Sequence, residues 1–180
     1  MVEARFGAET ADRVIDASEL ANGGAYTTVG TYDHMELVRM VECLSRETGE
    51  GGGELVKAFG EYLMERFGKI YPQFFVGAGS SFDFLPMVES HIHVEVKKLY
   101  PEAGLPRLAC RREEEDVMVV EYRSQRPFAD LAEGMILGTG PSAEIWFSKV
   151  LPLVDKTATC NAGINMLPNP DVYAVCEAAA

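Results

Sequence analysis

Apolar residues recur at three- and four-residue intervals through most of the chain, and they alternate at two-residue intervals in one clear stretch near residue 120. The first spacing marks one face of a helix, the second a half-buried strand. Residues 8 to 18 predict a short helix. Residues 33 to 47 carry Leu37, Val38, Val41 and Leu44 at helical spacing behind Asp33, whose carboxylate suits an N-cap. Residues 53 to 67 repeat the pattern with Leu55, Ala58, Phe59, Tyr62 and Leu63. The first third of the chain therefore predicts three amphipathic helices.

Residues 83 to 100 carry both periods. Phe84, Val88, Ile92, Val96 and Leu99 form a helical stripe, whereas Ile92, Val94 and Val96 alternate as in a strand. Length favours a helix, with Asp83 as its cap and Pro86 in the first turn, where amides have no intrahelical partner. Within it lies HIHVEVKKLYP, which holds two of the chain's three histidines. On a helical wheel His91 lies nearer the apolar stripe, while His93 shares its side with Pro86 and Tyr100. Periodicity thus selects His91 as the buried one.

Beyond PEAGLP the segments RLACRR, EEED and VMVVEYRSQ read as a β-hairpin. Pro127 suits the first position of a further helix, with Phe128, Leu131, Ala132, Met135 and Ile136 on one face. From residue 139 the chain is rich in Gly, Pro and Asn, with weak strand candidates at 153 to 160 and 171 to 176.

Composition narrows the classes. A chain of 180 residues supports one well-buried core and nothing divides it, so one domain over 1–180 is expected. A net charge of -12 argues against a nucleic-acid partner, whose affinity comes largely from Lys and Arg, and an acidic membrane surface would repel it. No run approaches the ~20 apolar residues of a membrane span. The opening MVEARFGAETADR is charged from its third residue and lacks the form of a signal peptide, so the expected location is the cytoplasm. Cys43, Cys110, Cys160 and Cys176 form no CxxC pair and read as core thiols.

Three stretches bear on chemistry. GEGGGE at 49 to 54 precedes a helix, but two glutamates flank it and the Lys-Ser/Thr ending of a phosphate loop is missing. GAGSS at 77 to 81 lacks the spacing of a nucleophile elbow. YRSQR at 122 to 126 ends the second hairpin strand, and alternation along that strand would turn Tyr122, Ser124 and Arg126 to one side. Two hydroxyls and a guanidinium suit a carboxylate pair or a phosphate.

From His93 it is thirteen residues to Pro106 and twenty-nine to Tyr122. With these in register the chain resembles the heme nitric oxide/oxygen binding (H-NOX, HNOB) family, related to the sensor region of soluble guanylate cyclase. The likeness rests on a helix with an axial histidine, a Pro-containing turn at that distance and a Y-x-S-x-R motif. It extends through YDHMELV, LVKAFGEYLMERFG and LAEGMILG, roughly residues 1 to 140. The resemblance implies an α+β fold: an N-terminal helical part, a long proximal helix carrying the heme ligand, and a C-terminal antiparallel sheet with an inserted helix. It implies heme b as cofactor, His93 rather than His91 as the iron ligand, Pro106 packing on the porphyrin, and Tyr122, Ser124 and Arg126 holding the propionates. His34, at the start of a helix, is expected to be solvated.

The family's dioxygen-binding members place a tyrosine on the helix after Y-x-S-x-R, and Leu131 stands at that position here. The resemblance therefore points to a non-enzymatic sensor of nitric oxide, also binding carbon monoxide. It implies strain on the bond between iron and His93, movement of the helix that carries it, and a surface read by a separate partner such as a histidine kinase or a cyclic-di-GMP enzyme. Two departures stand beside the likeness. Family members begin about ten residues earlier, and the tail from 139 diverges, with no histidine between Cys160 and Cys176 to complete the zinc cluster of some relatives. The rival readings are a small enzyme using His91 or His93 as general base with Arg126 on an anionic substrate, and a thiol or zinc redox sensor built on the tail's cysteines.

Overall fold

The computed structural model describes residues 1–27, 30–115 and 117–139, with the backbone of Ile145–Val150 and Val175–Ala178. Helices α1 (Val2–Phe6) and α2 (Ala8–Ala17) are followed by α3 (His34–Thr48) and α4 (Gly52–Ile70). Asp33 caps α3 as its position predicts, its Oδ1 accepting the Met35 amide at 3.0 Å. Such a cap contributes about 1 kcal/mol. The helix ends at Gly49, whose φ of 75° is the left-handed conformation that closes a helix at least cost to glycine.

The segment predicted as one helix from 83 to 100 is three pieces: α5 (Ser81–Met87), a π turn (Val88–Ile92) and α6 (His93–Leu99). Its cap is Ser80 rather than Asp83, the Ser80 side chain accepting the Asp83 amide at 3.2 Å. The earlier start puts Pro86 beyond the first turn, where its missing N–H and its ring disturb the α-helical ladder. The wider i→i+5 turn follows at once. The stripe fades along it: Phe84 is buried, Val88 and Ile92 pack at the edge of the core, and Leu99 is 75% exposed.

Strands β1 (Arg107–Arg112) and β2 (Met118–Arg123) form the predicted hairpin, with Leu108 opposite Tyr122. Helix α7 (Ala129–Leu137) then crosses to β3 (Ile145–Val150), and β4 (Val175–Ala178) completes a sheet of order β1-β2-β3-β4. The β1/β2 and β3/β4 pairs are antiparallel, as expected of this α+β fold; β2/β3 is parallel, because a helical crossover returns the chain in the same direction. Strand β3 had no forecast in the residue pattern, β4 overlaps the candidate at 171 to 176, and the candidate at 153 to 160 lies outside the described residues.

Two apolar clusters meet at α7. One joins Met64, Phe82, Phe84, Leu85, Met118, Val120, Tyr122, Ala129 and Ile136; the other joins Val14, Val41, Cys43, Leu44, Leu55 and Val56. Covered on both sides, α7 also buries Glu133, whose Oε1 takes Lys57 Nζ at 2.6 Å. Glycines let α4 and α7 approach closely: a Cβ on Gly134 would overlap the Lys57 carbonyl oxygen, and one on Gly60 would overlap that of Leu131. Among the described residues no helix is long and apolar enough to cross a membrane.

Candidate functional site

The π turn decides which histidine faces the protein. Residues in an i→i+5 turn advance by less than the about 100° of an α-helix, so the wheel loses register before it reaches His93. His93 carries a side chain only 15% exposed. His91 is exposed, its Nδ1 2.8 Å from the Ser90 hydroxyl. This corrects the periodicity-based choice of His91 as the buried one.

His93 Nδ1 lies 3.7 Å from Glu89 Oε1, and the same oxygen accepts the Leu108 amide at 2.6 Å. Leu108 is the cross-strand neighbour of Tyr122, which is buried in the sheet-side core. Burial raises the Tyr122 phenol pKa, against the lowering effect of a hydrogen bond with Ser124 and of the Arg126 charge. The three residues of the YRSQR motif are therefore neighbours.

They do not meet by strand alternation, however. Strand β2 ends at Arg123, and Ser124 and Arg126 lie in the bend after it. A local turn joins them instead: Ser124 Oγ accepts the Arg126 amide at 3.0 Å. Short hydroxyl side chains compete with the strand ladder in this way. The Arg126 guanidinium folds back onto the loop before β1, its Nη1 donating to the Gly104 carbonyl at 3.0 Å. A Cβ on Gly104 would sit 3.2 Å from Nη2, so glycine allows that approach. Pro106, half-buried, stands between Gly104, whose carbonyl accepts from Arg126, and Leu108, whose amide donates to Glu89. The stretch from Gly104 to Leu108 at the start of β1 thus gathers the proximal helix and the end of the hairpin.

Leu131 is on the other flank of α7, partly buried against the α2–α4 cluster. His34 is half-exposed and meets Phe128 edge-on at 6.0 Å, so it is less solvated than expected. Among the described residues no group of three or more His, Cys, Asp or Glu side chains could hold a metal ion by itself. Cys160 and the side chain of Cys176 lie outside the described residues.

This donor set fits a heme rather than a bare metal ion. One imidazole has Nδ1 3.7 Å from a carboxylate, so that Nε2 would be the nitrogen able to hold a heme iron; the guanidinium has five N–H donors that would suit carboxylates. Sequence reasoning missed Glu89 and Gly104. Glu89 is one helical turn before His93, a signal that becomes readable only once His93 is singled out.

Comparison with known proteins supplies the rest. The Haem-NO-binding (HNOB) family profile matches residues 1–143. The H-NOX protein from K. algicida, in its Fe(II) unliganded state, is 31% identical over 77% of this chain and 75% of its own, with a TM-score of 0.70. The H-NOX from Shewanella woodyi, solved bound to IWP-051 in the Fe(II)CO state, is 42% identical over 76% of this chain and 72% of its own, with a TM-score of 0.65. An H-NOX protein from S. oneidensis in the Fe(II)NO state, 23% identical with a TM-score of 0.69, shares the fold over 77% of each chain. The curated proteins give no match. From the match over residues 1–143 and the agreement in fold, the chain belongs to the Haem-NO-binding (H-NOX) family of heme-based sensor domains, which carry heme b and are not enzymes.

Proposed function

We propose that this chain is a nitric oxide sensor, with His93 as the axial ligand, Pro106 against the porphyrin, Tyr122, Ser124 and Arg126 on the propionates, and Leu131 on the gas-binding side. The reading takes residues 1–180 as one cytoplasmic domain that binds nitric oxide and carbon monoxide and signals in trans to a partner such as a histidine kinase or a cyclic-di-GMP enzyme. Bound heme supplies a ferrous iron able to take a diatomic gas, and the pocket around it selects which gas stays.

The gas choice is carried by Leu131. It packs against the cluster of Val14, Val41, Leu44, Leu55 and Val56, and its side chain has no hydrogen to donate. A polar bound dioxygen gains little from such a wall, whereas nitric oxide holds to ferrous heme without a donor. Arg126 and the two hydroxyls supply charge-assisted and neutral hydrogen bonds to carboxylates. Their neighbour Pro106 adds a rigid apolar surface.

The test is reduction without oxygen, followed by gas addition and visible spectroscopy of the holoprotein. Nitric oxide and carbon monoxide are expected to shift the Soret band, while air produces no lasting dioxygen-bound spectrum. A stable dioxygen-bound spectrum in the unmutated protein would overturn the assignment. Leu131→Tyr is expected to introduce measurable dioxygen affinity.

A further inference from the structure

Glu89 sits in the π turn, and a single oxygen of its carboxylate serves two elements. Oε1 accepts the Leu108 amide of β1 at 2.6 Å and lies 3.7 Å from His93 Nδ1. Its side chain is 39% exposed, so the strand amide, rather than complete burial, holds it in place. The His93 distance is longer than a hydrogen bond, so a hydrogen bond between them requires the ring and the carboxylate to come closer.

We propose that Glu89 is the positioning residue for His93: it accepts the Nδ1 proton in a hydrogen bond, holds the ring so that Nε2 faces the heme, and tunes how strongly the imidazole donates to iron. This rests on His93 being the axial ligand. A carboxylate on the distant nitrogen gives an imidazole more anionic character and makes it a stronger donor. The four-residue spacing places Glu89 and His93 on the same side, while Leu108 fixes the carboxylate from the sheet. The pairing therefore sets how firmly the proximal bond holds, and so how readily it yields.

Two variants separate the roles of charge and tether. Glu89→Gln removes the negative charge but keeps an oxygen for the Leu108 amide, whereas Glu89→Leu removes both. In ferrous holoprotein, both are expected to move the iron-histidine stretching band in resonance Raman to lower frequency and the heme midpoint potential to more positive values. Loss of such an outer partner weakens metal binding roughly 10–100-fold elsewhere, so heme dissociation should quicken by at least about tenfold. Only Glu89→Leu should speed hydrogen exchange at the Leu108 amide.

An unchanged stretching band and potential in Glu89→Gln would overturn the proposal and leave Glu89 a structural tether. A measurement needing no variant is the histidine nitrogen NMR spectrum of the carbon monoxide-bound protein. A protected, hydrogen-bonded His93 Nδ1–H supports the proposal, and an Nδ1–H in rapid exchange with water sinks it. His93→Ala separates this from the reading beneath it: if that variant keeps the iron-histidine band, the axial assignment itself has failed.

Discussion

His91 and His93 stand two residues apart yet have different surroundings: one is at the surface beside Ser90, the other is turned toward Glu89 and the sheet. The difference gives a direct test of the ligand. His93→Ala is expected to lose heme, or to hold it only when imidazole is supplied, while His91→Ala keeps a near-normal Soret band. Reversed phenotypes would show that the register is wrong. At this scale the motif residues were singled out by the family resemblance, which their spacing carries: Pro106 and Tyr122 stand thirteen and twenty-nine residues after His93. What spacing could not reveal was their mutual contact, because Ser124 and Arg126 meet through a side-chain turn and not through a strand.

Among the elements, the contact between α4 and α7 is the tightest in physical terms. Gly60 and Gly134 face backbone of the opposite helix, so an added methyl group has nowhere to go without separating the helices. Gly134→Ala is expected to cost about 1–3 kcal/mol, the usual penalty for overpacking. For a chain of this size that lowers the melting midpoint by roughly 2–4 °C per kcal/mol. The exposed Gly68→Ala, with open space at its Cβ, serves as the control and should be neutral or slightly stabilising. Differential scanning calorimetry of both variants checks the contrast. A neutral Gly134→Ala would mean that the helices tolerate a wider separation. Leu131, the residue proposed above for gas choice, lies on the same helix and its carbonyl faces Gly60.

At the scale of the whole molecule, the sheet-side core makes stability sensitive to alkali. Burial, followed by the negative charge of Glu89, raises the Cys110 thiol from 9.0 to about 11, and burial also raises the Tyr122 phenol. Both groups prefer their neutral form more strongly in the folded chain than in the unfolded one. Their contribution is therefore complete below the unfolded pKa and is lost as pH rises through the folded pKa. The urea midpoint is expected to fall as pH rises from 9.0 toward about 11, and Cys110→Ala should flatten that fall. An unchanged slope in the variant would remove Cys110 from the explanation.

Amphipathic periods were enough to place α2, α3, α4 and the β1/β2 hairpin within a few residues, because each of these has one face that must leave water, and the apolar run of α7 placed that helix too. Local chemistry was enough for the Asp33 cap. Tertiary structure decided the remainder. The π turn after Pro86 reversed the exposure of the two histidines, since a wheel assumes one constant angle per residue and the chain does not keep it. The burial of Glu133 and Gly134 came from α7 being covered on two sides, which a single-face pattern does not express. The stretch from Gly104 to Leu108 became the meeting point of Glu89 and Arg126 only when folding brought residues 19 and 22 positions apart into hydrogen-bond contact. Periodicity records which side of an element avoids water; it carries no information about which distant element supplies the partner.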